Sequence, residues 1–223
     1  MRAVVVTLFP SWFDWFVEQR HVRNAGLALE AVDLRATTPL AAGKVDDTPY
    51  GGGAGMVIRV DVVAAALEAR FGGAAETVRD GRPVVLMAAS GRPFTDAVAT
   101  ELATHPELVL ICGRYEGVDA RVEEHLCSDA ISIGPYVLSG GEIAAMAVLD
   151  ATARKLPDAL GNAASLDEES WSPGLDGAAE YPQYTRPFDF RGWTVPEILR
   201  SGDHAAVARW RAERARTGRD DSS

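Results

Sequence analysis

The chain has 223 residues, of which 47% are hydrophobic and 24% charged. This composition is typical of a globular protein and excludes a collagen-like or wholly disordered chain. No apolar run approaches the roughly 20 residues of a membrane span, so no membrane partner is expected, and the apolar N-terminal run is interpreted as a strand rather than a signal peptide. The two cysteines match neither a zinc nor a redox motif, which predicts buried thiols in a cytoplasmic protein.

The formal net charge of −10 is unevenly distributed. Residues 1–182 contain 14 Lys and Arg against 26 Asp and Glu, whereas residues 183–219 contain eight Arg against four acids. The bulk charge argues against a protein coated by a polyanion, but the C-terminal arginines can form a local basic surface for phosphates. The alternative interpretation of those arginines is the solvated face of an amphipathic helix.

Short apolar runs alternate with helical patterns over the first 160 residues. Strands are predicted over residues 3–8, 29–34, 84–88, 108–112 and 130–133. Helices are predicted over residues 61–71, 95–104, 118–126 and 142–156. Fully apolar strands that alternate with helices of about ten residues predict an α/β fold, with a parallel sheet flanked by helices on both faces.

The pattern changes after Pro157. Proline and glycine are frequent in residues 158–187 and no periodicity is sustained, which predicts an unusually long connection. Two helices are predicted beyond it, over residues 194–202 and 203–216, the second anchored by Trp210. The predicted organisation is an α/β domain (1–160), an interdomain linker (161–175) and a small helical C-terminal domain (176–223).

Three glycine-bearing loops follow predicted strands, at residues 89–92, 113–117 and 134–142. Loops at the carboxyl ends of parallel strands build the ligand crevice, so we expect these three to converge. Glycine lets a ligand approach the bare backbone. None of the loops matches a P-loop, a dinucleotide fingerprint or a serine nucleophile elbow, so kinase, dehydrogenase and serine hydrolase activities are not supported.

Two further glycine features have local interpretations. Ser139-Gly140-Gly141-Glu142 fits a capping box, which predicts a helix N-terminus beside the ligand. The glycine cluster in residues 47–56 surrounds Tyr50 and is either a flexible surface loop or a segment that closes over a base or sugar. The four histidines have no ligand spacing, so the residues themselves predict no metal site.

Five motifs occur in a familiar order: PYGGGAGM (49–56), CGRYEGVDARV (112–122), SIGPYVLSGGE (132–142), YTRP (184–187) and SGDHAAVARWR (201–211). With them the chain resembles the bacterial tRNA (guanine-N1)-methyltransferases of the TrmD type, in the SPOUT superfamily. The resemblance implies a deep trefoil knot and a homodimer whose active sites are shared between chains. It also implies S-adenosyl-L-methionine as methyl donor, a requirement for Mg²⁺, and guanosine 37 of tRNA, next to the anticodon, as target.

The resemblance also assigns residues. The cofactor pocket falls on Gly113, Tyr115, Glu116, Ile133, Gly134, Pro135, Tyr136, Val137, Leu138, Gly140 and Gly141. Arg154 matches the active-site arginine, and Glu169 stands where the family has the aspartate general base, contributed by the partner chain. Pro135 stands where the family usually has Asp, and residues 88–91 read Ala-Ala-Ser-Gly where it has Ser-Pro-Gln-Gly.

The chemistry explains these residue types. A carboxylate can remove the proton from guanine N1, and a guanidinium such as that of Arg154 can stabilise the charge that develops on O6. Arg186, Arg209 and Arg211 are the expected phosphate contacts, although the basic C-terminal extension of the family is cut short here. These departures leave two alternatives: a diverged paralogue that methylates another RNA base, or a catalytically inactive dimer that binds cofactor or tRNA.

Overall fold

The computed structural model describes residues 1–159, 170–171, 175 and 177–217. Its centre is a five-stranded sheet with the order β2-β1-β6-β5-β7, in which every neighbouring pair is parallel. The strands are β1 (Arg2–Thr7), β2 (Ala28–Asp33), β5 (Val84–Pro93), β6 (Glu107–Cys112) and β7 (Asp129–Ser132). A short antiparallel pair, β3 (Asp46–Asp47) and β4 (Val57–Ile58), lies outside this sheet.

Helices cover both faces of the sheet. Helices α2 (Leu34–Thr37) and α3 (Val60–Phe71) pack with Val4 and Val6 of β1 in one apolar cluster. Helices α1 (Arg20–Asn24), α4 (Asp96–Ala103) and α5 (Glu142–Arg154) pack with Ala3 and Val5 in the other. Because both faces are covered, residues 3–7 are fully buried, and the strand shows an unbroken apolar run instead of an alternating one.

The five predicted strands are confirmed, as are the helices predicted over residues 61–71, 95–104 and 142–156. The helix predicted over 118–126 is confirmed only from residue 120, where a short helical segment begins that has π-helical hydrogen bonding over Val122–Leu126. The backbone of Val118 is bridged to Ile58, and Asp119 accepts a hydrogen bond from Arg121 N, so the helix cannot begin before these residues. Tertiary pairing therefore overrides the helical pattern here.

The chain divides into two compact units, Met1–Leu160 and Gly161–Ser223. In the second unit, β8 (Ala178–Ala179) pairs with β11 (Arg216–Thr217), and β9 (Asp189–Phe190) pairs with β10 (Trp193–Thr194). The helix predicted over 203–216 is confirmed as α6 (His204–Arg214). The helix predicted over 194–202 is wrong, because Pro196 precedes only one 3-10 turn, Glu197–Arg200.

The limits of the predicted linker and C-terminal domain stay predictions. Among the described residues, no helix is both long and apolar enough to cross a membrane.

Candidate active site

A cavity of about 400 Å³ opens at the carboxyl ends of β6 and β7 and beside the middle of β5. Three segments build its wall, residues 86–90, 113–118 and 131–134 with 136–141, so the structure brings the three predicted loops together. Its volume lies in the range of small-molecule and cofactor sites. The position is the one expected for a ligand site in an open parallel sheet.

The residues that the resemblance assigned to a cofactor meet in this cavity, with one exception. Its wall includes Gly113, Tyr115, Glu116, Ile133, Gly134, Tyr136, Val137, Leu138, Gly140 and Gly141. Pro135 is exposed and does not line it. The Tyr136 hydroxyl donates a hydrogen bond of 3.1 Å to Ile133 O, which folds this loop back on itself.

Strand β5 is interrupted where it passes the cavity. Met87 and Arg92 both pair with Ile131, so residues 88–91 bulge out of the ladder. Ala88, Ala89 and Ser90 line the cavity as a result. A Cβ atom at Gly91 would lie 2.5 Å from Ile131 N, so only glycine allows the chain to return this closely to β7.

The glycines of the cavity differ in how much space surrounds them for a side chain. A Cβ atom at Gly141 would lie 2.8 Å from Cys112 Cα, and one at Gly140 would lie 2.2 Å from Arg114 Nε. A Cβ atom at Gly113 would make only ordinary contacts, the nearest at 3.5 Å from Val118. Packing within the protein therefore already requires Gly140 and Gly141, whereas Gly113 leaves space at the cavity wall.

The predicted capping box is wrong. Helix α5 begins at Glu142 after Gly141, and no side chain caps it. The Glu142 side chain is fully buried and does not cap the helix. Its Oε1 instead accepts a hydrogen bond of 2.8 Å from Thr7 Oγ1. Arg114 Nε lies 3.0 Å from Glu142 Oε2. Burial, together with the negative charge of Glu142, raises the pKa of the neighbouring Cys112 thiol well above its usual range.

The loop after β6 holds Tyr115 in a left-handed conformation, with φ of +61°. Such a conformation costs a non-glycine residue about 1 kcal/mol or more and is concentrated at functional sites. The loop is fixed to the end of the glycine cluster, because Glu116 N donates a hydrogen bond of 3.1 Å to Met56 O. Tyr50, in the same cluster, is fully exposed beside the cavity formed by residues 47–50, 57–61 and 118–121.

Charged pairs line that second cavity. Hydrogen bonds from Arg59 lower the pKa of Asp61, and those from Arg121 lower the pKa of Asp119. Lys44 lowers the pKa of Asp47 in the same way. These carboxylates are therefore ionised and paired at neutral pH.

Arg154, one of the two predicted catalytic residues, is not among the residues that line the cavity. Arg154 ends α5, whereas Gly141, just before the start of the same helix, lines the cavity. Arg154 is the twelfth residue after Glu142, which corresponds to about 18 Å along the helix axis. Glu169 lies outside the described residues.

The three predicted phosphate contacts have different environments. Arg186 and Arg209 are exposed, and the Arg186–Pro187 peptide bond is cis. Arg211 is half-buried, with its guanidinium 4.7 Å from the ring centroid of the buried Tyr181. Arg186 and Arg209 therefore have the accessibility that a phosphate contact needs, whereas Arg211 also packs the second unit.

No group of three or more His, Cys, Asp or Glu in the described part of the chain has the arrangement of a metal site.

The chain was also compared with known proteins. The family model of tRNA (Guanine-1)-methyltransferase TrmD matches residues 1–221. The chain belongs to this family. It is 48% identical over 236 aligned residues to the tRNA (guanine-N(1)-)-methyltransferase of Sorangium cellulosum (strain So ce56), covering 96% of this chain and 89% of the relative.

Two further relatives carry the same name. The protein of Thermus thermophilus is 49% identical, with 96% of this chain and 87% of the relative aligned. The protein of Bradyrhizobium diazoefficiens is also 49% identical, with 96% of this chain and 84% of the relative aligned. The chain therefore spans most of the length of these relatives.

The sequence analysis did not predict that three polar side chains meet behind the cavity wall, those of Thr7, Arg114 and Glu142. Their signal is weak, because each polar residue stands at the end of an apolar strand or the start of an apolar helix. A threonine that closes the run AVVVT and an arginine directly after LVLICG were the available clues.

Proposed function

We propose that this protein transfers the methyl group of S-adenosyl-L-methionine to N1 of guanosine 37 in tRNA, next to the anticodon. The observation that carries the proposal is the family match over residues 1–221, together with a single cavity in which the assigned cofactor residues meet. Fold alone would not specify this activity, since one fold can host many chemistries.

The cavity fits the cofactor in size and chemistry. Apolar side chains such as Leu86, Ile131 and Leu138 suit an adenine ring, and the glycine-rich backbone leaves amide groups accessible. Glu116 and Glu123 add carboxylates to the wall, which favour a cationic ligand. When bound, S-adenosyl-L-methionine supplies an electrophilic methyl group on a sulfonium centre.

The chain's own residues prepare the nucleophile. Guanine N1 carries a proton at neutral pH, and the Glu169 carboxylate would accept that proton as N1 bonds to the methyl group. The bond between the methyl group and sulfur would break in the same step, with the neutral thioether as the leaving group. General base catalysis of this kind typically contributes 10²–10⁴-fold. The Arg154 guanidinium stabilises the negative charge that develops on O6 during deprotonation.

A homodimer with shared active sites is part of this proposal, and the position of Arg154 supports it. Arg154 lies about 18 Å along the axis of α5 from the cavity end of that helix, so we propose that the Arg154 of a second copy of the chain completes the site. Exposed apolar side chains at the cavity side support such a contact. Val137 and Ile143 are 89% and 50% exposed, and burying such a patch favours association.

The remaining features rest on the family. The knot is proposed for the loops at the cavity, where β5 breaks and residues 113–117 meet Gly140. Binding of tRNA is proposed for the arginine-rich second unit. The Mg²⁺ requirement and the cytoplasmic location also stay proposals.

Methylation of matched tRNA transcripts tests the proposal. Transcripts that carry guanosine or adenosine at position 37 are incubated with the protein and methyl-labelled S-adenosyl-L-methionine, with and without Mg²⁺. We expect transfer to the guanosine transcript alone, at N1. Equal transfer to both transcripts would favour the paralogue that modifies another base. Cofactor binding without any transfer would favour the inactive dimer.

A further inference from the structure

Two buried polar side chains, Thr7 and Glu142, lie behind the wall of the cavity. Thr7 and Glu142 are both 0% exposed and neither lines the cavity. They come from the end of β1 and the start of α5, 135 positions apart in the chain, and are joined by the 2.8 Å hydrogen bond between Thr7 Oγ1 and Glu142 Oε1. A buried carboxylate is expensive unless it is paired, so this one needs a structural or functional reason.

Arg114 connects the network to the cavity. It faces Glu142 Oε2 through Nε at 3.0 Å, and its Nη1 donates a hydrogen bond of 3.2 Å to Ser139 O. The contact between Arg114 Nε and Glu142 Oε2 does not have the geometry of a hydrogen bond, so the attraction between these two groups is one of opposite charges. Both Arg114 and Ser139 line the cavity. The Arg114 guanidinium thus connects the buried Glu142 carboxylate to the cavity wall.

Aromatic rings and the backbone hold the arginine in place. Its guanidinium lies 4.4 Å from the ring centroid of Phe9 and 5.0 Å from that of Trp12. The same Thr7 hydroxyl that donates to Glu142 accepts a hydrogen bond of 3.0 Å from Phe9 N, which holds the backbone that carries this ring. The backbone of Arg114 is bridged to Gly140, where an added Cβ would collide with both Arg114 and Glu142.

We propose that Thr7, Glu142 and Arg114 form a positioning network that holds residues 139–141 in their cofactor-binding conformation. Thr7 and Glu142 are then positioning residues for methyl transfer, because they act through Arg114 and not on the ligand. This inference rests on the proposed function, in which the cavity holds S-adenosyl-L-methionine. Holding a loop rigid before binding lowers the entropic loss when the ligand arrives.

Two near-isosteric variants of the full-length protein test the network. Glu142→Gln removes the charge that attracts Arg114, and Thr7→Val removes the hydroxyl that orients both Glu142 and Phe9. We expect each to raise the Kd and KM for S-adenosyl-L-methionine about tenfold or more, since bonds to a charged group are lost. The Kd for tRNA should change less than about twofold, and Thr7→Ser, which keeps the hydroxyl, should restore cofactor affinity.

A matched control separates positioning from stability. Glu107 is a carboxylate of the same unit that is 19% exposed and paired with Arg82 at 3.1 Å, at the amino end of β6. Glu107→Gln should lower the melting temperature and leave the KM for the cofactor unchanged. If the network variants also shift only the melting temperature, the network is structural and the inference is wrong.

The combined variant adds an independent criterion. If Thr7 and Glu142 act as one unit, the fold-changes of the two single variants will not multiply in the double variant, because both remove the same support. Multiplicative effects would contradict a single network. If Glu142→Gln does not fold, Thr7→Val and Thr7→Ser decide alone. A wild type that methylates tRNA while the variants bind cofactor normally overturns only the inference, whereas a wild type that binds no S-adenosyl-L-methionine overturns the proposed function as well.

Discussion

The two compact units use their arginines in different ways. In Met1–Leu160, arginines pair with carboxylates, as Arg59 does with Asp61 and Arg92 with Asp129, both at 2.7 Å. Arg70, Arg82 and Arg114 of this unit also lie over aromatic rings, but each of them is paired with a carboxylate as well. In Gly161–Ser223, guanidinium groups lie 3.8–5.1 Å from aromatic ring centroids, at Arg191, Arg200, Arg211 and Arg214. An ion pair cancels positive charge, whereas stacking on a ring preserves it.

This difference separates two binding tasks. The first unit has 14 basic against 21 acidic residues over positions 1–160, a balance of −7, which suits a cationic sulfonium ligand and repels a polyanion. The stacked arginines of the second unit keep a charge that phosphates can use. The net charge of −10 is therefore the sum of two different parts, a proposed cofactor-binding unit and a proposed RNA-binding unit.

The largest expected effect tests whether the second unit supplies chemistry as well as RNA contacts. We expect Glu169→Gln to lower the single-turnover rate of methyl transfer about 10²-fold or more, because the amide cannot accept the N1 proton. Glu169→Asp should keep or raise the rate. The affinities for cofactor and tRNA should be unchanged in both variants and serve as the control.

A full rate in Glu169→Gln would mean that another group is the base. An inactive wild type that Glu169→Asp reactivates would favour the inactive-dimer alternative. The same single-turnover measurement of methyl transfer distinguishes both outcomes.

The next effect concerns the cofactor unit alone. Gly141→Val should weaken S-adenosyl-L-methionine binding well over tenfold in calorimetry while the dimer persists. It should also reduce the free energy of unfolding by about 1–3 kcal/mol, since the new side chain overlaps Cys112 and Met87.

Gly113→Ala separates these two effects. Its Cβ atom meets no protein atom closer than 3.5 Å, so stability should be nearly unchanged and any loss of affinity reports the ligand itself. Unchanged affinity in both glycine variants would place the cofactor elsewhere.

A smaller effect distinguishes two arginines on α6. Arg209→Ala should lower the slope of log K for tRNA against log salt by about 0.7 for single-stranded or 0.9 for duplex contacts, without changing the melting temperature. Arg211→Ala should also destabilise the second unit by about 0.5–1 kcal/mol, because it loses its stack on Tyr181. Identical salt slopes for wild type and Arg209→Ala would contradict a phosphate contact at Arg209.

The smallest effect concerns the ion pairs of the first unit. Arg121 lowers the pKa of Asp119, so this carboxylate stabilises the folded state above its unfolded pKa of about 3.9. That contribution is lost as the pH falls through the lowered folded pKa. We expect Asp119→Asn to reduce the free energy of unfolding by less than about 1 kcal/mol at pH 6 and to have almost no effect at pH 2. Urea titrations at both pH values measure this, and an equal difference at the two would rule out the pair as its cause.

The sheet was predictable because its signal is local. Residues 3–6 are apolar and consecutive, and a strand buried on both faces requires that pattern wherever it lies in the fold. The cavity was predictable for a related reason: Gly113 and Gly140 follow such strands, and strand ends of a parallel sheet share one edge.

The errors came from contacts between distant parts of the chain. Residues 118–126 have a helical pattern, but the bridge between Val118 and Ile58 uses backbone that a helix would need. Glu142 has the spacing of a capping residue, but Thr7 and Arg114 offer its carboxylate stronger partners inside the protein. Residue spacing along the chain contains no information about either of these contacts, because their partners are distant in sequence.

The sequence by itself determined the α/β class, the parallel sheet and the edge at which the glycine loops gather, because burial and strand direction act on consecutive residues. Only the tertiary structure decided that Gly140 and Gly141 are required by packing, and that Glu142 faces Thr7 and Arg114. Each of these depends on a distance between atoms of different elements, and such distances exist only once the sheet and its helices have packed.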